Sequence, residues 1–181
     1  MLTLIDMFLE QAAQNPERIA VRDCHGAYTY GQLNRASAAL AKQLLDRGEE
    51  FEGRGKRVAV LLPRTRNFVV AVLGILRAGF AVVPMDSEYP AKRINAILKD
   101  AVCPLCVSSG DLLPHATDVS LLDLDQILQG KPNEDIDYGL NLSDSEAEGL
   151  ILFTSGTTGK PKGVVHRQSI FSNGPDVLKE Y

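Results

Sequence analysis

The chain opens with apolar positions at Leu4, Ile5, Phe8, Leu9 and Ala12. That spacing follows a helical period and predicts an amphipathic helix. "RIAVRDCHGAYTYGQL" then reads as two short strands with a turn at His25-Gly26. Thr29 and Gln32 have capping-box spacing and open a second helix running to about Arg47. Leu33, Ala36, Leu40 and Leu44 line one face of it, and Gly48 ends it. "EEFEGRGKR" is read as a polar loop.

Beyond this point the pattern changes. "RVAVLLP" is a continuous apolar run closed by proline, as in a strand buried on both faces. Residues 67–78 are apolar nearly all round, which predicts a buried helix, with Gly79 as its stop. "FAVVP" is another buried strand, and Pro90 suits the first turn of the helix "PAKRINAILKDA". "PLCVSS" is a strand, and "DVSLLDLDQILQG" a strand leading into a short helix. "KPNEDIDYGLNLSDSEAE" reads as a surface connection, followed by "GLILFTS", a loop, "GVVH" and a last amphipathic segment. Strands alternating with helices predict an α/β fold with a doubly wound, mainly parallel sheet. Ligands of such sheets sit at the carboxyl ends of the strands.

Charge and composition narrow the chemistry. With 19 basic and 23 acidic residues the net charge is −4, so no broad basic surface offers itself to nucleic acid. The apolar run at 68–76 is too short to span a bilayer, which takes about 20 residues. The first residues carry acids among their apolar positions and lack a basic leader. A cytoplasmic, soluble protein without a membrane partner is expected. Three cysteines, Cys24, Cys103 and Cys106, argue against a disulfide framework. Cys103-Pro-Leu-Cys106 has CxxC spacing but lies in a strand-like run, so buried core thiols are expected over redox or metal chemistry. The three histidines are widely spaced, and no metal-ligand cluster is expected.

The densest chemistry lies in "FTSGTTGKPKG", residues 153–163. Gly156, Gly159 and Gly163 allow sharp turns and close backbone approach to a ligand. Thr154, Ser155, Thr157 and Thr158 bring hydroxyls, while Lys160 and Lys162 bring positive charge. Successive N–H groups in such a turn form an anion-binding concavity. The spacing matches neither the Walker A loop nor the GxGxxG fingerprint. A solvated turn of loop-forming residues is the plain alternative.

"LFTSGTTGKPKGVVH" resembles the phosphate-binding signature of the adenylate-forming (AMP-binding) enzymes. "FLEQAAQNPERIAV", "YTYGQLNRASAALAKQL" and the block from "RVAVLLPRTRN" to "AILKDA" resemble that superfamily's opening segments. "PMDSEYPAKRI" resembles the amino-acid-activating members, the adenylation domains of nonribosomal peptide synthetases. The likeness covers most of the chain and is weakest over 107–148. It implies an N-terminal part of an enzyme that couples ATP, with Mg, to a carboxylate, makes an acyl-adenylate and releases pyrophosphate. The acyl group then passes to a carrier protein or coenzyme A. On this resemblance Thr154 and Ser155 begin the loop that meets ATP. Gly156, Thr157, Thr158 and Gly159 wrap the β- and γ-phosphates, and Lys160 and Lys162 supply charge. Neither lysine matches the family's catalytic lysine, which belongs to a later domain.

The resemblance also implies an acyl pocket, a ribose-holding aspartate and a magnesium-associated glutamate that these residues do not match. The 181 residues are therefore expected to be one partial domain, inactive in adenylation alone, with an apolar subdomain face open to self-association. A nucleotide- or partner-binding module without catalysis is the rival reading. His166 is a candidate near the phosphates or acyl pocket, or simply a strand-end residue. Asp86 and Tyr89-Pro90 are candidates for ligand contact, or for a turn and a helix start.

Overall fold

A computed structural model describes residues 2–53, 55–117, 119–130, 135–155 and 161–171. Helix α1 spans Leu4–Gln14 and starts from a capping box in which Thr3 and Asp6 satisfy each other's backbone N–H groups. Strands β1 (Ile19–Asp23) and β2 (Gly26–Thr29) form a separate antiparallel ribbon. Its turn is Cys24-His25, one residue before the position expected, because Asp23 pairs with Gly26 and the glycine opens β2. Helix α2 spans Tyr30–Leu45 and begins with the expected Thr29/Gln32 box. It ends before Arg47. A 3-10 turn over Gly48–Phe51 then replaces the expected polar loop, and its Phe51 ring packs 4.4 Å from that of Phe80.

The main sheet has six strands in the order β6-β5-β3-β4-β7-β8. These are β3 Arg57–Leu61, β4 Ala81–Met85, β5 Leu105–Ser108, β6 Ser120–Asp123, β7 Glu148–Ser155 and β8 Pro161–Arg167. The first five run parallel and β8 returns antiparallel, which gives the expected doubly wound, mainly parallel architecture. Helix α3 (Arg66–Arg77) carries the chain from β3 to β4, α4 (Ala91–Asp100) carries it back to β5, and α5 (Leu124–Gln129) follows β6. Pro90 is the N-cap of α4 rather than a residue of its first turn.

Alternation along the strands divides the core. Val58, Val60, Val82, Leu105 and Val107 face the layer of α1, α2 and α3. Ala59, Leu61, Ala81, Val83 and Cys106 face α4 through Ile94, Ile97 and Leu98. Strand β3 is therefore buried on both faces, as its unbroken apolar run required. Because α3 and α4 lie on opposite faces, the connections leaving β3 and β4 diverge, which makes the gap between their carboxyl ends the topological switch point.

The described part of the long connection, 135–147, is a surface strap fastened by a buried charge. Arg77, with 0% exposure, donates to the carbonyls of Tyr138 (2.8 Å) and Leu140 (3.0 Å) in the strap. In α2 the same guanidinium donates to Asn34 O, Asn34 Oδ1 and Ser37 Oγ. Burial lowers its pKa to about 10, so it stays charged at neutral pH. The strap also meets α1 through Asn141 Nδ2–Asp6 and a Thr3–Ser143 hydroxyl pair. Among the described residues no helix is long and apolar enough to cross a membrane.

Candidate phosphate-binding site

Strands β7 and β8 form a hairpin in the register Phe153↔Gly163, Thr154↔Lys162 and Ser155↔Pro161. Thr154 and Lys162, both exposed, thus stand opposite each other at the mouth of the loop. Because β7 runs parallel to β3 and β4, that mouth opens at the carboxyl-end edge of the sheet. Five of the expected phosphate contacts, Gly156, Thr157, Thr158, Gly159 and Lys160, lie outside the described residues, as does the side chain of Ser155. Gly163 has a packing reason. A Cβ there would come within 3.0 Å of the Phe153 ring and 3.4 Å of Ile151 Cγ2, so the ring of β7 closes over bare backbone on β8.

The far end of the hairpin is anchored by charge. Arg57 at the start of β3 donates from Nε and Nη2 to the two carboxylate oxygens of Glu148, each at 2.7 Å. Its Nη1 donates to Ala101 O at 3.2 Å, tying in the end of α4. The hydrogen-bonded Arg57 holds the Glu148 carboxyl below the usual range, and Glu148 raises Arg57 in return. Gln168 and Ser169, at the start of the 3-10 turn Gln168–Phe171, donate backbone N–H groups to Ala147 O and Ser145 O. This anchoring matters because β7 shares a single register pair with β4, Val82↔Leu150, among the described residues. Neither Arg57 nor Glu148 was singled out from sequence. They are 91 residues apart, and nothing local marks them as partners.

His166 does not join the loop mouth. It is half-buried opposite Leu150, five residues along β8 from Pro161, a strand distance of about 17 Å. Asp86 and Tyr89 do approach the hairpin, since both line a crevice that also includes Leu152 and Phe153. Asp86 shapes the turn expected of it by accepting the Glu88 N–H at 3.0 Å. The Tyr89 ring lies 3.9 Å beneath the Arg93 guanidinium. Cys103 and Cys106 are buried, and burial pushes both thiols up to about 12, the opposite of a reactive thiol pair. Among the described residues no group of His, Cys, Asp or Glu is arranged to hold a metal ion.

Residues 8–174 match the family model described as AMP-binding enzyme. The chain is 36% identical over 161 residues to syringomycin synthase SyrB1 of Pseudomonas syringae pv. syringae, covering 89% of this chain and 26% of that protein. It is 37% identical over 169 residues to tyrocidine synthase 3 of Brevibacillus parabrevis, covering 90% of this chain and 2% of that protein. The N-terminal subdomain of Klebsiella oxytoca NpsA, solved with 3-hydroxybenzoyl-AMSN, superposes with a TM-score of 0.78 at 26% identity, covering 93% of this chain and 41% of that one. The chain therefore spans about a quarter or less of the two synthases and under half of the NpsA subdomain. With a parallel sheet of the expected architecture and a family match over nearly its whole length, this chain belongs to the AMP-binding enzyme family.

Proposed function

We propose that this chain supplies the ATP-phosphate grip of an adenylation domain that activates a carboxylate, an amino acid in class, as an acyl-adenylate with release of pyrophosphate. What carries the reading is the hairpin register, which sets Thr154 against Lys162 at the carboxyl-end edge of the sheet. Loop N–H groups, the hydroxyls of Thr154, Ser155, Thr157 and Thr158, and the charges of Lys160 and Lys162 would hold the β- and γ-phosphates. Mg would enter with ATP, held mainly by phosphate oxygens and water. Such a grip favours the leaving pyrophosphate as its charge develops. The 181 residues act as one partial domain, with 153–163 as its phosphate loop. Adenylation, and transfer to a carrier protein or coenzyme A, would require the further regions that the relatives possess. We place this chemistry in the cytoplasm.

Leu152, Val164 and Val165 are 40–47% exposed on the hairpin. Leu152 and Val164, register partners that share one face of the hairpin, support self-association through that face in the isolated chain. Light scattering across a concentration series checks that part, and a strict monomer at high concentration refutes it.

The grip itself is tested by thermal unfolding with millimolar ATP and Mg. A ligand that binds only the folded chain must raise the midpoint. Wild type should be stabilised, and Thr157→Ala with Lys162→Ala should lose most of the shift. An unmoved wild-type midpoint sinks the proposal.

A further inference from the structure

The β8 side of the loop mouth is built from residues that hold a ladder poorly. Pro161, opposite Ser155, has no backbone N–H to donate. Gly163, opposite Phe153, has no side chain to pack, and a glycine inside a strand weakens it. Strand β8 is also an edge of the six-stranded sheet, so among the described residues it pairs only with β7. The Thr154↔Lys162 pair stands between these two weak points.

Phe153 compensates on the glycine side. A Cβ built at Gly163 would lie 3.0 Å from Phe153 Cζ and 3.3 Å from Cε2, so the far edge of the ring covers the glycine. An aromatic side chain set across from an edge-strand glycine restores the packing that the glycine lacks. The ring has neighbours on its other side. It packs against the core cluster that includes Met85 of β4 and Ile151 of β7, and it shares a crevice with Met85 and Tyr89. It therefore ties the loop mouth to the end of β4, five residues along β7 from the Glu148 anchor. Side chains alternate along a strand, so Phe153 lies on the face opposite to Thr154. Any effect of the ring on a ligand at Thr154 and Lys162 passes through the backbone that it holds.

We propose that Phe153 is a positioning residue of the phosphate grip. Its ring, closed over the bare backbone of Gly163, sets the spacing and register of the Thr154–Lys162 pair. The inference rests on the phosphate-grip reading given above. It makes Gly163 the seat of a ring rather than a turning point of the loop. A methyl group at 163 would displace the ring edge, which is the far end of a flexible side chain, so the fold survives while the mouth changes shape.

The test is a MgATP titration of the isotopically labelled 181-residue chain, following the Thr154 and Lys162 amides well below the unfolding midpoint. Thermal unfolding without nucleotide is read beside it. Gly163→Ala and Phe153→Leu should each weaken ATP binding about tenfold, the worth of one charge-assisted contact, while the ATP-free midpoint moves little. Leucine lacks the Cζ and Cε2 atoms that a methyl at 163 would strike. Gly163→Ala combined with Phe153→Leu should therefore bind ATP more tightly than Gly163→Ala alone, the mark of two residues acting as one unit. A merely structural role predicts the other split, a lowered ATP-free midpoint with unchanged affinity. Single variants that bind ATP as wild type does, or a double variant in which the two losses multiply, overturn the positioning role and leave the phosphate grip standing. A wild-type chain with no ATP response refutes both.

Discussion

Two helices end in the same motif with different residues at its critical position. After α3, Gly79 donates to Leu76 O and Phe80 to Ile75 O, with Gly79 at φ +79°. After α4, Val102 donates to Lys99 O and Cys103 to Leu98 O, with Val102 at φ +54°. Both are Schellman ends, whose left-handed position favours glycine. A β-branched residue there is a genuine outlier. The left-handed conformation costs an L-residue roughly 1–2 kcal/mol, whereas glycine costs about 0.5–1 kcal/mol in lost chain entropy. At position 102, Gly should therefore be more stable than Ala by about 0.5–1 kcal/mol, the reverse of an ordinary site. Comparing Val102→Gly with Val102→Ala removes the side chain's own packing from the test, since both discard the same half-exposed methyls. Gly79→Ala should cost more than this difference, because a Cβ there would lie 2.9 Å from Leu142 O. Thermal and urea unfolding read the effect, with about 2–4 °C per kcal/mol for a chain of this size. If Val102→Ala proves as stable as Val102→Gly, the strain argument is wrong.

Three further outcomes follow from buried or paired charge. Arg77→Met removes the hydrogen bonds that tie the strap to α2 and should cost about 3 kcal/mol or more. Arg77→Lys keeps the charge without the fork and should recover only part of that, with faster hydrogen exchange over 138–142 as the local readout. Glu148 titrates below its ordinary value of 4.5 because of its hydrogen bonds to Arg57, so its stabilisation is complete above that value. It is lost as pH falls through the lower folded value, and Glu148→Gln should flatten that acid slope in unfolding measured from neutral pH downward. A thiol reagent at mild alkaline pH should label Cys24 alone in the native chain and all three cysteines in denaturant, whereas rapid native labelling of Cys103 or Cys106 would contradict their burial.

Much of the fold was legible because its strands announce themselves. A strand covered on both faces has no polar side to confuse its pattern, so "RVAVLLP" and "FAVVP" read directly as β3 and β4. The α2 boundary was equally plain, because a capping box is a purely local device. Phe51 was not legible, since a single apolar residue among acids and glycines gains its meaning only from Phe80 across the fold. The turn of the first ribbon slipped by one residue for a related reason. Gly26 sits at φ +138° as the first residue of β2, so the glycine marks the strand's edge and not the turn's centre. Arg77 reads in sequence as the basic end of an apolar helix, yet it is the most fully buried charge of the described residues, because the strap brings carbonyls to it from 61 and 63 positions away.

The site divides along the same line. Residue types suited to phosphate were visible in "FTSGTTGKPKG" because that chemistry is local: hydroxyls, glycines and lysines on one short loop. What aims the loop is not local. The position of the β7–β8 hairpin depends on Ile151, buried in one core cluster with Ala81, Val83 and Met85 of β4, on the Arg57–Glu148 pair and on the 3-10 turn that follows β8. The pair and the turn lie at the opposite end of the hairpin from Thr154 and Lys162. The Arg57 anchor comes from 91 positions away and the β4 contact from across the sheet, so residue types on the loop could be read locally while the placement of the hairpin that carries it could not.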